Sequence, residues 1–87
     1  MTFVEIYTDK MCPFCHRAKK LLHQKAVDYK EINVTADAKT RRAMSNRAGG
    51  RTSVPQIFIN GDHIGGCDDL YALERAGKLD AKLTAAA

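Results

Sequence analysis

The chain has 87 residues, 45% of them hydrophobic and 28% charged, with a formal net charge of +4. That is one ordinary globular domain with a modest core, expected to cover residues 1–87. No run approaches the ~18 apolar residues needed to cross a bilayer, and Thr2 to Tyr7 lacks the pattern of a secretory leader, so no membrane association and a cytoplasmic location are expected.

In chain order, Phe3 to Thr8 is rich in β-branched and aromatic residues and reads as a strand. Pro13 suits the first turn of a helix, where a missing N–H costs nothing. Phe14, Ala18, Leu21, Leu22 and Ala26 follow helical spacing, which predicts a helix to about Lys25. Val27 to Val34 reads as a second strand. Asp37 is the expected N-cap of a helix through about Ala48, stopped by Gly49-Gly50. Gln56 to Ile59 is a third strand. Asn60-Gly61 is a strong hairpin signal, because both positions tolerate positive φ, and His63-Ile64 forms a short fourth strand. A last helix starts near Asp68, turns Leu70, Tyr71 and Leu73 inward, and meets its C′ residue at Gly77. Ala85 to Ala87 is expected to fray. The order β-α-β-α-β-β-α predicts an α/β fold: a mixed four-stranded sheet flanked by helices, its first two strands parallel and its last two an antiparallel hairpin.

Basic residues cluster at Arg17, Lys19, Lys20 and Lys25, and again at Lys39, Arg41, Arg42, Arg47 and Arg51. Aromatic residues are few and do not interleave with them, so a solvated face is favoured over nucleic-acid binding.

There are three cysteines. An odd number without an export signal argues against a structural disulfide framework. Cys12 and Cys15 sit three apart where a strand hands over to a helix. The partial positive charge and unpaired N–H groups of a helix start favour a thiolate. Cys12, at the very start, gains most; Cys15, one turn in, is placed to resolve a mixed disulfide. Cys12-Pro13-Phe14-Cys15-His16 also fits the haem-attachment pattern C-x-x-C-H, which requires export. Zinc binding with His16 or His23 lacks a second paired set of ligands. A dithiol redox centre is the reading that fits best, and no metal is expected.

The segments Val4-Glu5-Ile6-Tyr7-Thr8, Cys12 to Lys19, Ser53-Val54-Pro55-Gln56-Ile57-Phe58-Ile59 and Gly65-Gly66-Cys67-Asp68-Asp69-Leu70, in that order, resemble the bacterial dithiol glutaredoxins over almost the whole chain. The resemblance implies a thioredoxin-like fold and a glutathione-disulfide oxidoreductase. Glutathione would be its reducing co-substrate, and disulfide-containing or glutathionylated proteins, such as ribonucleotide reductase, its partners. It implies a cis Val54–Pro55 bond whose backbone edge pairs with the cysteinyl part of glutathione. Ser53 belongs to the same edge. Gly66, Cys67 and Asp68 would receive the γ-glutamyl end at a helix start, and Arg41, with Arg42 as its rival, the glycine carboxylate. Two positions depart from the family pattern. Asp9 stands where lysine is frequent, so Lys10, one place later, is expected to take over that lysine's contact with glutathione. Phe14 replaces tyrosine, keeping the ring at the glutathione site without its hydroxyl. Cys67 reads first as a small buried hydrophobe. A monomer is expected. The alternatives within the resemblance are a dimer that binds an iron–sulfur cluster with glutathione as co-ligand, and an electron donor reduced by thioredoxin reductase.

Overall fold

A computed structural model describes residues 2–84; the Ala85–Ala87 tail lies outside the described residues. Four strands form one sheet in the order β2-β1-β3-β4: β1 (Val4–Thr8), β2 (Lys30–Asn33), β3 (Gln56–Ile59) and β4 (Asp62–Gly65). β1 runs parallel to β2 and antiparallel to β3, and β3 is antiparallel to β4. The expected mixed sheet is therefore present.

The period-2 alternation of the two central strands divides the core. Val4, Ile6, Ile57 and Ile59 face one way. They pack on Ala18, Leu21 and Leu22 of α1 (Pro13–Gln24) and on Cys67 and Leu70 of α3 (Cys67–Arg75). Tyr7 and Phe58 face the other way, against Met44 of α2 (Ala38–Arg47) and the adjacent Ala48. Both faces are covered, so the central strands are buried nearly throughout, while β2 and β4 are edge strands with exposed positions.

Local chemistry sets the ends of the elements. Cys12 is the N-cap of α1 with Pro13 just inside it. The Asp37 carboxylate caps α2 by accepting the Thr40 N–H at 3.0 Å. Asn60 and Gly61 have φ of 52° and 85°, both positive, as the two-residue hairpin demands. Gly77, at φ 71°, follows the C-cap of α3.

Two expectations change. β2 begins at Lys30 rather than Val27, because its pairing with β1 starts at Glu5↔Lys30; Val27 and Tyr29 pack against the core without joining the ladder. The chain also has an element beyond the expected order, α4 (Leu79–Thr84), whose Leu79 and Leu83 are buried. Lys25 Nζ anchors that end, lying 2.8 Å from both Glu74 Oε1 and Asp80 Oδ1.

The basic clusters are interspersed with acids. Lys19 pairs with Glu31, Arg47 with Glu5, Arg41 with Asp9 and Arg51 with Asp69. No helix among the described residues is long and apolar enough to cross a membrane.

Candidate active site

β1 delivers the chain to a short loop, Asp9 to Met11, and then to Cys12. As N-cap, Cys12 has extended backbone (φ −114°, ψ 105°), and its Sγ accepts the Cys15 N–H at 3.1 Å. One of the orphan donors of the helix start is thus spent on sulfur, an arrangement that is strongest when the sulfur is anionic. Cys12 Sγ also lies 3.6 Å from the Val54 carbonyl oxygen, to which the thiol donates. Cys12 is half-buried, whereas Cys15 is 1% exposed, and neither is in a disulfide.

Burial, and then the hydrogen bond with Cys12, push the Cys15 thiol up to about 12. Cys15 therefore stays protonated at neutral pH. Cys12 is thus the more accessible of the two thiols, and Cys15 lies buried one turn behind it, held as a thiol.

Next to Cys12, past the Val54 carbonyl that its Sγ meets, opens a cleft of about 200 Å³ that Cys12 itself does not line. Phe14 forms one wall, Ser53, Val54 and Pro55 a second, and Gly66, Cys67 and Asp68 a third. These are seven of the residues expected at the site. The Val54–Pro55 bond is cis. Pro55 is buried, while Phe14 is 52% exposed. Gln56, wholly buried at the start of β3, braces the Ser53 wall: its Nε2 donates to the Ser53 carbonyl at 3.0 Å and its Oε1 meets His63 Nε2 at 2.7 Å. His63 is held below its usual pKa, mainly by burial and then by the nearby Arg51 charge.

At the α3 end, Gly66 is the N-cap. Asp69 reaches back from the first turn, its Oδ2 accepting the Gly66 N–H at 2.9 Å. That bond holds the Asp69 carboxyl below its usual value, with Arg51 adding to the effect. Asp68 projects outward and is exposed. Both acids line the cleft, and Asp69 also caps the helix. Cys67 is buried in the core and also lines the cleft; burial raises its pKa.

Lys10 and Arg41 do not line this cleft. The Lys10 side chain is exposed, and its backbone N–H donates to Thr35 Oγ1 at 3.1 Å. Arg41 donates from Nη1 to the Thr52 carbonyl at 3.1 Å and from Nη2 to Asp9 Oδ2 at 3.3 Å. Conversely, Arg51 and Asp69 line the cleft, joined at 3.1 Å, although sequence reading placed Arg51 only in a basic cluster and Asp69 only at a helix start. The available signal was position: Arg51 follows the glycine stop of α2 and precedes the Val54–Pro55 wall. No group of three or more His, Cys, Asp or Glu side chains among the described residues could hold a metal ion.

A half-buried thiol at a helix N-cap, a buried thiol one turn behind it and a cis-proline wall alongside define a thiol–disulfide oxidoreductase. The chain belongs to the glutaredoxin family, whose model matches residues 4–64. It is 55% identical over 83 residues to Glutaredoxin 3 of Escherichia coli (strain K12), covering 95% of this chain and 99% of that one. It is also 55% identical over 82 residues to a glutaredoxin of Pseudomonas aeruginosa, covering 94% and 96%. Among solved structures, the solution structure of Brucella melitensis glutaredoxin matches with a TM-score of 0.84 and 52% identity, over 95% of this chain and 89% of that one. A buckwheat glutaredoxin–glutathione complex matches with a TM-score of 0.84 and 33% identity, over 93% and 76%. The fold is thus thioredoxin-like, as the sequence resemblance implied.

Proposed function

We propose that this protein reduces glutathione mixed disulfides and protein disulfides with glutathione as the reductant. The observation that carries this reading is the cleft beside Cys12, bounded by the Val54–Pro55 backbone on one side and the start of α3 on the other. Such a cleft suits a short peptide thiol: its cysteinyl backbone pairs strand-like with Val54, and its charged end meets the first turn of α3. The glutathione held by the buckwheat relative supports the same ligand.

In the first reaction, the Cys12 thiolate attacks the glutathione sulfur of a mixed disulfide R–S–S–G. The Cys12–SG bond forms and R–S⁻ leaves. A second glutathione thiolate then attacks that glutathione sulfur, releasing oxidised glutathione and the Cys12 thiolate. With a protein disulfide, Cys12 forms a mixed disulfide with one substrate sulfur and expels the other as thiolate. Cys15 gives up its proton and attacks Cys12 Sγ, so the second substrate thiolate leaves and a Cys12–Cys15 disulfide remains. Two glutathione molecules restore the dithiol and leave as oxidised glutathione. Until the mixed disulfide forms, Cys15 stays buried and protonated, which leaves the first attack to Cys12. Lys10 and Arg41 do not line the cleft; Arg41, held on the Thr52 carbonyl next to the Ser53 wall, is the cation proposed to meet the glycine carboxylate of glutathione at the cleft's rim, and Lys10 is an outlying cation. The proposed partners are glutathionylated proteins and reductases that carry a catalytic disulfide, of which ribonucleotide reductase is one type, in a reducing compartment.

Steady-state assays on two variants test the reading. Cys12→Ser should lose both reactions. Cys15→Ser should keep deglutathionylation and lose most reduction of protein disulfides. Full activity of Cys12→Ser contradicts the assignment. Reduction of the oxidised protein by thioredoxin reductase but not by glutathione would favour the electron-donor alternative, and a visible cluster band after anaerobic reconstitution would favour the iron–sulfur dimer.

A further inference from the structure

Arg41 ties together the two segments that flank the nucleophile. Its Nη2 holds Asp9 in the loop that leads to Cys12, and its Nη1 holds the Thr52 carbonyl in the loop that leads to Val54 and Pro55. Asp9 is itself fixed, because its Oδ1 accepts the Met11 N–H at 3.1 Å. That bond, aided by Thr35 and by the Arg41 and Lys10 charges, keeps the Asp9 carboxyl below its usual value, so it is anionic at neutral pH. The pair is open to solvent, with side chains 37% and 29% exposed for Arg41 and Asp9. A guanidinium has five N–H donors, so an incoming carboxylate can bind Arg41 beside Asp9 or in its place. Either way it meets the standing negative charge of Asp9.

We propose that Asp9 is a specificity-determining residue: it masks Arg41 against the carboxylate of a thiol ligand arriving at Cys12, and so weakens this protein's preference for carboxylate-bearing substrates. The inference rests on the glutathione reading above and concerns the glycine end of that ligand. Without the Asp9 charge, Arg41 keeps its Thr52 contact and gains a free face toward the loop before Cys12. The gain expected for one partly exposed charge contact is about three- to five-fold in kcat/KM, and it should shrink as salt screens it.

The test compares a glutathione mixed disulfide as the free acid with the same compound esterified at its glycine carboxylate. The readout is the acid-to-ester ratio of kcat/KM, from which any general loosening of the loop cancels. Asn at position 9 keeps an acceptor for the Met11 N–H and removes the charge. In Asp9→Asn the ratio should rise about three- to five-fold. In Arg41→Gln it should fall to near one, and in the double variant it should match Arg41→Gln, because Asp9 acts only through Arg41. An unchanged ratio in Asp9→Asn, including an equal loss on both substrates, overturns the inference and leaves the clamp structural. A wild-type protein that turns over neither the acid nor the ester overturns the glutathione reading itself.

Discussion

Gly65→Ala should be one of the most damaging single-methyl additions in this fold. Gly65 ends β4 with φ +117°, a conformation L residues rarely adopt. A Cβ there would clash with Asp69 Oδ2 and lie 2.7 Å from Asp69 Cγ and 2.9 Å from Arg51 Nη1. The strained backbone alone costs about 1–3 kcal/mol. The Asp69 carboxylate can swing away from the methyl, but it then releases the Gly66 N–H that it accepts at 2.9 Å, and losing such a cap costs about 0.5–2 kcal/mol. The Arg51–Asp69 pair is about half exposed on both sides and adds little. The expected loss is therefore about 2–4 kcal/mol, a large part of the stability of so small a domain. Equilibrium urea unfolding followed by circular dichroism measures it. Asp69→Ala alone should cost about 1–2 kcal/mol. The double variant should be more stable than the sum of the singles by about 1 kcal/mol, since the clash is gone and the cap is lost only once. A Gly65→Ala protein within about 0.5 kcal/mol of wild type, or strict additivity in the cycle, would refute this account of how the α3 start is built.

Further outcomes follow from the site and core. The Cys15 pKa is raised by folding, so the native state holds its proton more tightly than the unfolded chain; stability is complete below the ordinary thiol range and falls as pH climbs toward about 12. Urea midpoints from pH 7 to pH 10.5 should show a decline that is smaller in Cys15→Ala. The Asp69 carboxyl is lowered instead, so its contribution is present above the ordinary carboxylate value and is lost as pH falls through the folded one. Acid unfolding of Asp69→Asn should therefore show a shallower pH dependence than that of wild type. Leu22, fully buried between α1 and the sheet, should cost about 2–5 kcal/mol when replaced by Ala, measured by the same unfolding.

Where a residue type restricts its own backbone, the chain was legible without a structure. Asn60-Gly61 marked the hairpin, Asp37 the start of α2, Pro13 the first turn of α1 and Gly77 the end of α3. The two cysteines were legible for the same reason, since a strand–helix junction puts them at a helix start by local geometry alone. The structure also brings seven of the expected site residues around one cleft. What escaped depends on contacts distant in sequence. α4 is six residues long, too short for its two leucines to establish a period. The shortened β2 follows from register with β1, which no feature of Val27 to Tyr29 encodes. Arg51 and Asp69 meet across 18 positions, and Arg41 and Asp9 across 32. Charge spacing along the chain does not report such pairs. The position of Asp9 marked it as a departure from the family pattern, but only the fold shows that Arg41 is its partner.

The central claim is that Cys12 carries glutathione during turnover, with Cys15 as the resolving thiol. Intact-mass analysis of reduced Cys15→Ser after exposure to oxidised glutathione, followed by peptide mapping, tests it most directly. One glutathione on Cys12, removed by fresh glutathione, is the predicted result. No adduct, or an adduct on Cys67 in place of Cys12, would contradict it.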